Sequence, residues 1–361
     1  MTQGFTPGLQ DTVAAETALS HVDGAAGRLI LRGRDLDALA GQPFEAMLAL
    51  LWEGTAPQKT PQPMEAEALR SALGAARQEA FALMQPLLPA ARALPPVPAL
   101  RLMLSALPDT QDAAIRSVAA TGTFTAAIAR LAMGETPVAP DPARGHAEDM
   151  LAMLTGAAPE PAQVAALDRY LVTVADHGLN ASTFAARVVA STRAGTVSSV
   201  VAALCALKGP LHGGAPGPVL DMLDGIGEAG NARPWLAAAL DRGERLMGFG
   251  HRIYRVRDPR ADVLKAGVQT LRGSGRIALA ETVEAEALAL LAERKPDRPL
   301  QTNVEFYTAL LLEALGWPRD SFTCVFAAGR VAGWTAHVRE EERTGRLIRP
   351  QSRYVGPAPA R

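Results

Sequence analysis

Apolar residues return every third or fourth position along most of the chain, the spacing that lines one face of an α-helix. Val164, Leu167, Leu171 and Val174 follow it and stop short of Gly178. Val283, Ala287, Leu290 and Leu291 follow it up to Arg294, Lys295 and Pro296, residues that end helices. Val304, Tyr307, Leu311 and Leu315 repeat it up to Gly316 and Pro318, and Phe44, Met47, Leu48, Leu51 and Trp52 repeat it earlier. Alternating β-branched runs are scarce, so the fold class is all-α. The exception is N-terminal: residues 27–33 (GRLILRG) form an apolar run between glycines, which predicts one strand of a small hairpin with 17–22 as its partner.

Three proline-rich stretches, 57–63, 86–98 and 137–142, read as connections between helices, each too short for a flexible tether. A glycine and proline cluster at 208–218 reads as a hinge. It opens a small helical domain, 213–310, and the remaining stretches, 1–212 and 311–361, are helical as well.

Charge changes the picture by exclusion. With 36 Lys+Arg against 37 Asp+Glu, no global field draws the protein onto nucleic acid or an acidic membrane, so any preference for anions is local. Cys205 and Cys324 lie among apolar residues without metal-ligand spacing, which reads as two buried thiols in a reducing compartment. There is no basic patch followed by an apolar stretch at the N-terminus and no apolar run of about 18 residues, so the expectation is a soluble, cytoplasmic protein.

The candidate chemistry is concentrated between 207 and 260. LKGPLHGGA (207–215) holds His212 between a Gly-Pro turn and two glycines, and MGFGHRIYRVRDPRA (247–261) holds His251 before arginines at 252, 255, 257 and 260. Glycines let the backbone approach a ligand closely, and arginine forks suit carboxylates and phosphates. His177, in ADHGLNASTFAAR (175–187), reads either as a histidine satisfying helix-end carbonyls or as a third ring presented to a ligand. Three histidines plus Glu305 have the donors for zinc, but no His pair stands at ligand spacing and the arginines beside His251 oppose a cation. There is no G-x-S-x-G elbow, Walker loop or G-x-G-x-x-G after a strand. What remains is histidines as donors or acid-base groups, arginines for carboxylates, and a carboxylate base. Glu305 is placed for that last role, in the first turn of a helix capped by Asn303, although a plain first-turn carboxylate reads the same way. Arg330, in FAAGRVAGW (326–334), is an arginine among small apolar residues, costly unless it is paired.

Taken in order, ETALSHVDGAAGRLILRG, FEAMLALLWEG, LKGPLHGGA, GFGHRIYRVRDPRA, NVEFY, FAAGRVAGW and IRPQS resemble the citrate synthase family through most of the chain. The resemblance implies a mostly helical two-domain homodimer whose small domain closes over the substrates. It implies an acyltransferase that turns its acyl group into an alkyl group, taking oxaloacetate and an acyl-CoA and needing no cofactor or metal. It also implies roles. His212 matches the donor to the thioester oxygen, His251 the group that polarises the oxaloacetate carbonyl, and Glu305 the position of the proton-abstracting aspartate. His177, Arg260 and Arg330 match oxaloacetate ligands, Arg349 an arginine contributed across the dimer, and Arg255 a coenzyme A phosphate contact.

Four features depart from the family pattern. Glu305 replaces aspartate and moves the carboxylate by about 1 Å, a displacement that can cost about 10²-fold unless the backbone compensates. Pro216-Gly217 replace a polar pair, Gly178 a glutamate and Glu341 a glutamine. Three readings follow: a citrate synthase using acetyl-CoA, a 2-methylcitrate synthase using propionyl-CoA or both donors, and a weakly active paralogue that binds dicarboxylate or CoA for regulation.

Overall fold

The computed structural model of the chain describes residues 7–9, 12–55, 65–212, 216–271, 276–297 and 300–357. Its β element lies where the apolar 27–33 run predicts it, with one strand more than a hairpin. β1 (Ser20–Asp23) pairs antiparallel with β2 (Arg28–Leu31), and β2 with the two-residue β3 (Arg34–Asp35). Asp23 Oδ1 accepts the N–H groups of Ala25 and Ala26 to close the first turn, and Leu29 and Leu31 anchor the sheet in the core.

The other regular elements are helices. They begin with α1 (Leu36–Leu39), α2 (Phe44–Trp52), α3 (Ala66–Met84), α4 (Leu88–Arg92), α5 (Pro96–Leu104) and α6 (Ala113–Ala132). Next come α7 (His146–Thr155), α8 (Pro161–Val174), α9 (Ala181–Ser191), α10 (Thr196–Leu207) and α11 (Pro216–Ile226). The chain continues through α12 (Ala232–Asp241), α13 (Pro259–Gln269), α14 (Arg276–Arg294), α15 (Val304–Ala314) and α16 (Phe322–Thr344). The four periodic stretches fall in α2, α8, α14 and α15, with Leu315 as the cap that follows α15.

Two expectations are corrected. The 86–98 stretch is not a connector: α4 lies inside it and α5 begins at its Pro96. Pro89 and Pro96 sit in first helical turns, where the missing N–H is not needed and the fixed φ is already helical. Cys324 is buried, but Cys205 is exposed, because Ala203, Leu204 and Leu207 take the inward face of α10. The 137–142 stretch is irregular as expected, while 57–63 and the Gly213-Gly214-Ala215 segment lie outside the described residues. No described helix is long and apolar enough to cross a membrane.

The hub of the core is α16, which touches α2, α5, α6, α8, α9 and α10 and is buried from Cys324 to Val338. A helix enclosed on every side needs no apolar stripe, and small residues let its neighbours come close. A Cβ on Gly329 would lie 2.4 Å from Val174 Cγ2, and one on Gly333 would lie 2.3 Å from Ala175 O. These two glycines let the end of α8 and the turn after it rest directly on α16, where the Gly333 N–H donates to Ala175 O at 3.0 Å. On the other side of the molecule α11, α12, α14 and α15 pack together, and α13 joins them to α8.

Candidate active site

The turn after α8 carries His177. Gly178 adopts φ +62°, and Asn180 then caps α9, its Oδ1 accepting the N–H groups of Ser182 and Thr183 at 3.1 Å each. His177 is not spent on helix-end carbonyls: its Nε2 lies 3.2 Å from the Tyr254 hydroxyl, and its ring meets those of Tyr254 and His251 with centroids 5.6 Å apart in each case.

Two histidine tautomers follow from the hydrogen bonds around them. His251 Nδ1 accepts the backbone N–H groups of Ile253 and Tyr254, both at 3.1 Å. Backbone amides only donate, so Nδ1 holds the lone pair and the ring proton sits on Nε2. That nitrogen lies 3.3 Å from Arg260 Nη2, so two donors converge on one space that calls for an acceptor. His212 Nε2 lies 2.9 Å from Ser182 Oγ and 3.4 Å from the Ser182 N–H. By the same logic its proton sits on Nδ1, turned away from Ser182. Trp334 Nε1 donates to Ser182 Oγ at 3.1 Å and fixes that hydroxyl from α16.

Asp258 holds the centre of the site and was not among the residues singled out from sequence. It accepts the Arg260 N–H at 3.1 Å as the cap of α13 and grips the Arg260 guanidinium at 3.0 and 2.8 Å. Its Oδ2 also accepts the N–H of Val304, one residue before Glu305, at 3.2 Å. Asn303 caps α15 as predicted, its Oδ1 accepting the Glu305 N–H at 3.0 Å, and its Nδ2 donates to Gly250 O at 2.8 Å. Gly250 N–H donates to Gln301 O at 2.7 Å, and Asn303 N–H to Gly248 O at 2.9 Å. The histidine loop and the Glu305 turn are therefore stitched into one unit. Arg330 reaches the site from α16, its Nε donating to Val174 O at 2.5 Å, which leaves its terminal fork for a carboxylate.

Burial dominates the electrostatics. It lowers His212 and His251 to about 4, assisted by Arg330 and Arg260 respectively, and lowers His177 well below the usual imidazole range, so all three rings are neutral donors at pH 7. Burial pushes the Glu305 carboxyl up to about 7, with Arg260 and Arg330 pulling it down and Asp258 raising it. Arg330 falls to about 10, again through burial, and stays charged at neutral pH.

The other arginines divide by environment. Arg257 is committed to the fold, 2.6 Å from Asp262 and 2.9 Å from Glu284. Arg255 is exposed; its N–H donates to Gly24 O at 2.9 Å, and its side chain lines a cavity of about 220 Å³ that also meets His251. A larger cavity of about 480 Å³ opens on the other side of His251, between Phe249, Arg245, Arg252 and Lys295. Arg349 is exposed and is not brought to the site within one chain. The preceding residue, Ile348, donates its N–H to Ser191 Oγ at 3.1 Å, and Ser191 is roughly 14 Å along α9 from Ser182 at 1.5 Å per residue.

The site thus gathers His177, His212, His251, Glu305, Arg260 and Arg330 around one space. The sequence model of the family described as "Citrate synthase, C-terminal domain" matches residues 8–351. The chain belongs to the citrate synthase family. It is 40% identical over 365 residues to a Mycobacterium tuberculosis protein named putative citrate synthase 2, covering 99% of this chain and 94% of that one. It is 35% identical over 360 residues to 2-methylcitrate synthase of the same species, covering 97% and 90%. It also resembles a solved citrate synthase from Thermoplasma acidophilum, in ternary complex with carboxymethyl coenzyme A and oxaloacetate. That match has a TM-score of 0.86 at 27% identity, covering 100% of this chain and 98% of the other.

Within this citrate synthase framework, Asp258, Tyr254, Ser182 and Trp334 are the residues that the motif reading left without a role. Asp258 had a legible signal, since an aspartate before proline at a helix start is a cap. Tyr254 and Trp334 had none, because their contacts join segments 77 and 152 residues apart.

Proposed function

We propose that the chain condenses acetyl-CoA with oxaloacetate and water to give citrate and free CoA. The observation that carries this reading is the convergence of two neutral histidine N–H donors, a raised carboxylate and two arginines on one space. Glu305 removes a proton from the acetyl methyl group while His212 Nδ1–H donates to the thioester oxygen, where charge develops as the enol forms. The enol carbon bonds to the oxaloacetate ketone carbon. His251 Nε2–H delivers its proton to the ketone oxygen, and Arg260 and Arg330 hold the carboxylates. Water then cleaves the citryl thioester and CoA leaves. These steps use side-chain acids and bases alone, with no cofactor or metal.

Several further assignments belong to the same reading. The cavity among Arg245, Arg252 and Lys295, with Arg255 beside it, takes the phosphates of the acyl-CoA. The 213–310 segment is the small domain that closes over the substrates, and the 208–218 cluster is its hinge. Arg349 completes the site of a second copy in a cytoplasmic homodimer. Propionyl-CoA is a second acyl donor: the relation to 2-methylcitrate synthase favours it, and one extra methylene is worth only about 1–3 kcal/mol of discrimination.

The test is release of free thiol from acetyl-CoA and from propionyl-CoA, with and without oxaloacetate. We expect oxaloacetate-dependent release, and the ratio of the two rates assigns the preferred donor. Release with neither donor would leave the binding-only paralogue as the reading.

A further inference from the structure

Behind the His177 turn lies a buried polar chain that the proposed chemistry does not use. Asp176 precedes His177. Its Oδ2 takes the Ser20 hydroxyl and the Gly178 N–H, the latter at 3.2 Å, while its Oδ1 faces His337 Nε2, also at 3.2 Å. Asp176 and His337 are both fully buried. Their contact is bent away from hydrogen-bond alignment, yet neither of these two atoms has another partner among the described residues.

His337 Nδ1 lies 3.0 Å from Arg187 Nη1. A guanidinium only donates, so Nδ1 accepts and the proton of the neutral ring is on Nε2, toward Asp176. Arg187 continues the chain to Glu340 at 2.6 Å and to Glu341 at 2.8 Å. Glu341 holds the far end of this chain.

Buried ionic chains of this kind give weak net stability, because the cost of removing the charges from water offsets their attraction. Their placement is therefore informative. Residues 330, 334, 337 and 341 recur at helical spacing on one face of α16. Arg330 enters the site itself, Trp334 reaches His212 through Ser182, and His337 reaches the His177 turn through Asp176. One face of one helix supports three separate members of the site.

We propose that His337 is a positioning residue for His177: its Nε2–H holds the Asp176 carboxylate, and that carboxylate holds the turn that aims the His177 ring at the substrate. The inference rests on the reading of His177 as an oxaloacetate ligand. The test compares the full chain with His337→Leu, His337→Gln, Asp176→Asn and His177→Ala, measuring KM for each substrate, kcat and thermal midpoint. His337→Leu removes the donor, and we expect KM for oxaloacetate to rise about tenfold while KM for acyl-CoA stays put. His337→Gln keeps an amide N–H near the place of Nε2–H and is expected to return KM to within about threefold of the parent.

Equal rises in both KM values, or a glutamine variant no better than the leucine one, would mean that His337 only packs the core, and overturns the proposal. If the leucine variant does not fold, Asp176→Asn carries the test: KM for oxaloacetate rises if the carboxylate aims the turn, and an unchanged KM overturns the idea. His177→Ala separates the two layers. Loss of oxaloacetate affinity there with none in the His337 and Asp176 variants defeats the positioning role alone, whereas no loss in His177→Ala removes the reading beneath it.

Discussion

The two sides of the site are built differently. On the α16 side, Arg330, Trp334 and His337 are buried: Arg330 donates to Val174 O at the end of α8, Trp334 donates to Ser182 Oγ, and His337 faces Asp176 at 3.2 Å. On the side of the 245–257 loop, Arg245, Arg252 and Arg255 are exposed around open cavities, and Gly248 and Gly250 adopt φ of +85° and +86°. The contrast matches the two ligands assigned to them. A small rigid dicarboxylate with a ketone rewards donors that are already in place, while a long flexible thioester with phosphates at one end needs charge and room more than a fixed fit. Asp258 and Asn303 tie Arg260 and the 245–257 loop to the turn that carries Glu305, whose carboxyl also feels the charge of Arg330 from the α16 side.

The sharpest way to break the contrast is at that junction. Glu305→Gln keeps the shape of the side chain and removes the base, so turnover is expected to fall by at least about 10²-fold while oxaloacetate affinity changes little. A variant with near-parental turnover would show that the base lies elsewhere. The same carboxyl predicts an acid limb near pH 7 in the parent, because the base must be ionised. Its folded value, about 7, lies above the ordinary glutamate value near 4.5, so stability is lost as pH rises through that interval. Glu305→Gln should therefore unfold at a higher temperature than the parent at pH 8, by up to about 3 kcal/mol in stability, and at the same temperature near pH 4.5. Equal differences at both pH values would contradict the raised carboxyl.

Asp258→Asn should be felt on both sides of the site. It leaves the Arg260 guanidinium buried beside a neutral partner, and we expect kcat/KM for oxaloacetate to fall by about 10- to 100-fold, with kcat lowered as well. A change confined to one substrate would mean that the junction does not couple the two sides. The smallest effect belongs to the open side. Arg245→Ala and Arg252→Ala should each raise KM for acyl-CoA by about 3- to 10-fold at low ionic strength and much less at about 0.5 M salt, as for exposed charges, with KM for oxaloacetate unchanged.

What could be read from the sequence tracks the distance over which each contact acts. The caps at Asn180 and Asn303, the helices with clear stripes and the small β element depend on residues a few positions apart, and the structure keeps them. Gathering three histidines, two arginines and Glu305 in one place needed the family resemblance, since no local spacing joins positions 177, 212, 251, 260, 305 and 330. The corrected features share a cause. At Pro89 and Pro96, proline opens a helix as readily as it ends one, and at Cys205 composition could not say which face of α10 turns inward. The enclosed helix α16 hides its working face because small and apolar residues fill the positions between Arg330, Trp334 and His337 and leave no stripe, so the roles of Trp334 and His337 emerge only from contacts across 152 and 150 residues.

Gly24, in the first β turn, has no room for a side chain: a Cβ there would lie 2.4 Å from the carbonyl oxygen of Ile253, in the loop that follows His251. The N–H of Ala18 likewise donates to Glu340 near the end of α16, across 322 residues. Such contacts are the slowest kind to form, because the chain must close a very long loop before they reward it. The histidine loop is thus braced by a segment far before it in sequence, while Arg330 reaches the site from far after it, so the site draws on most of the length of the chain. A nascent or truncated chain, however well its individual helices form, would stay inert toward its substrates until both ends have docked.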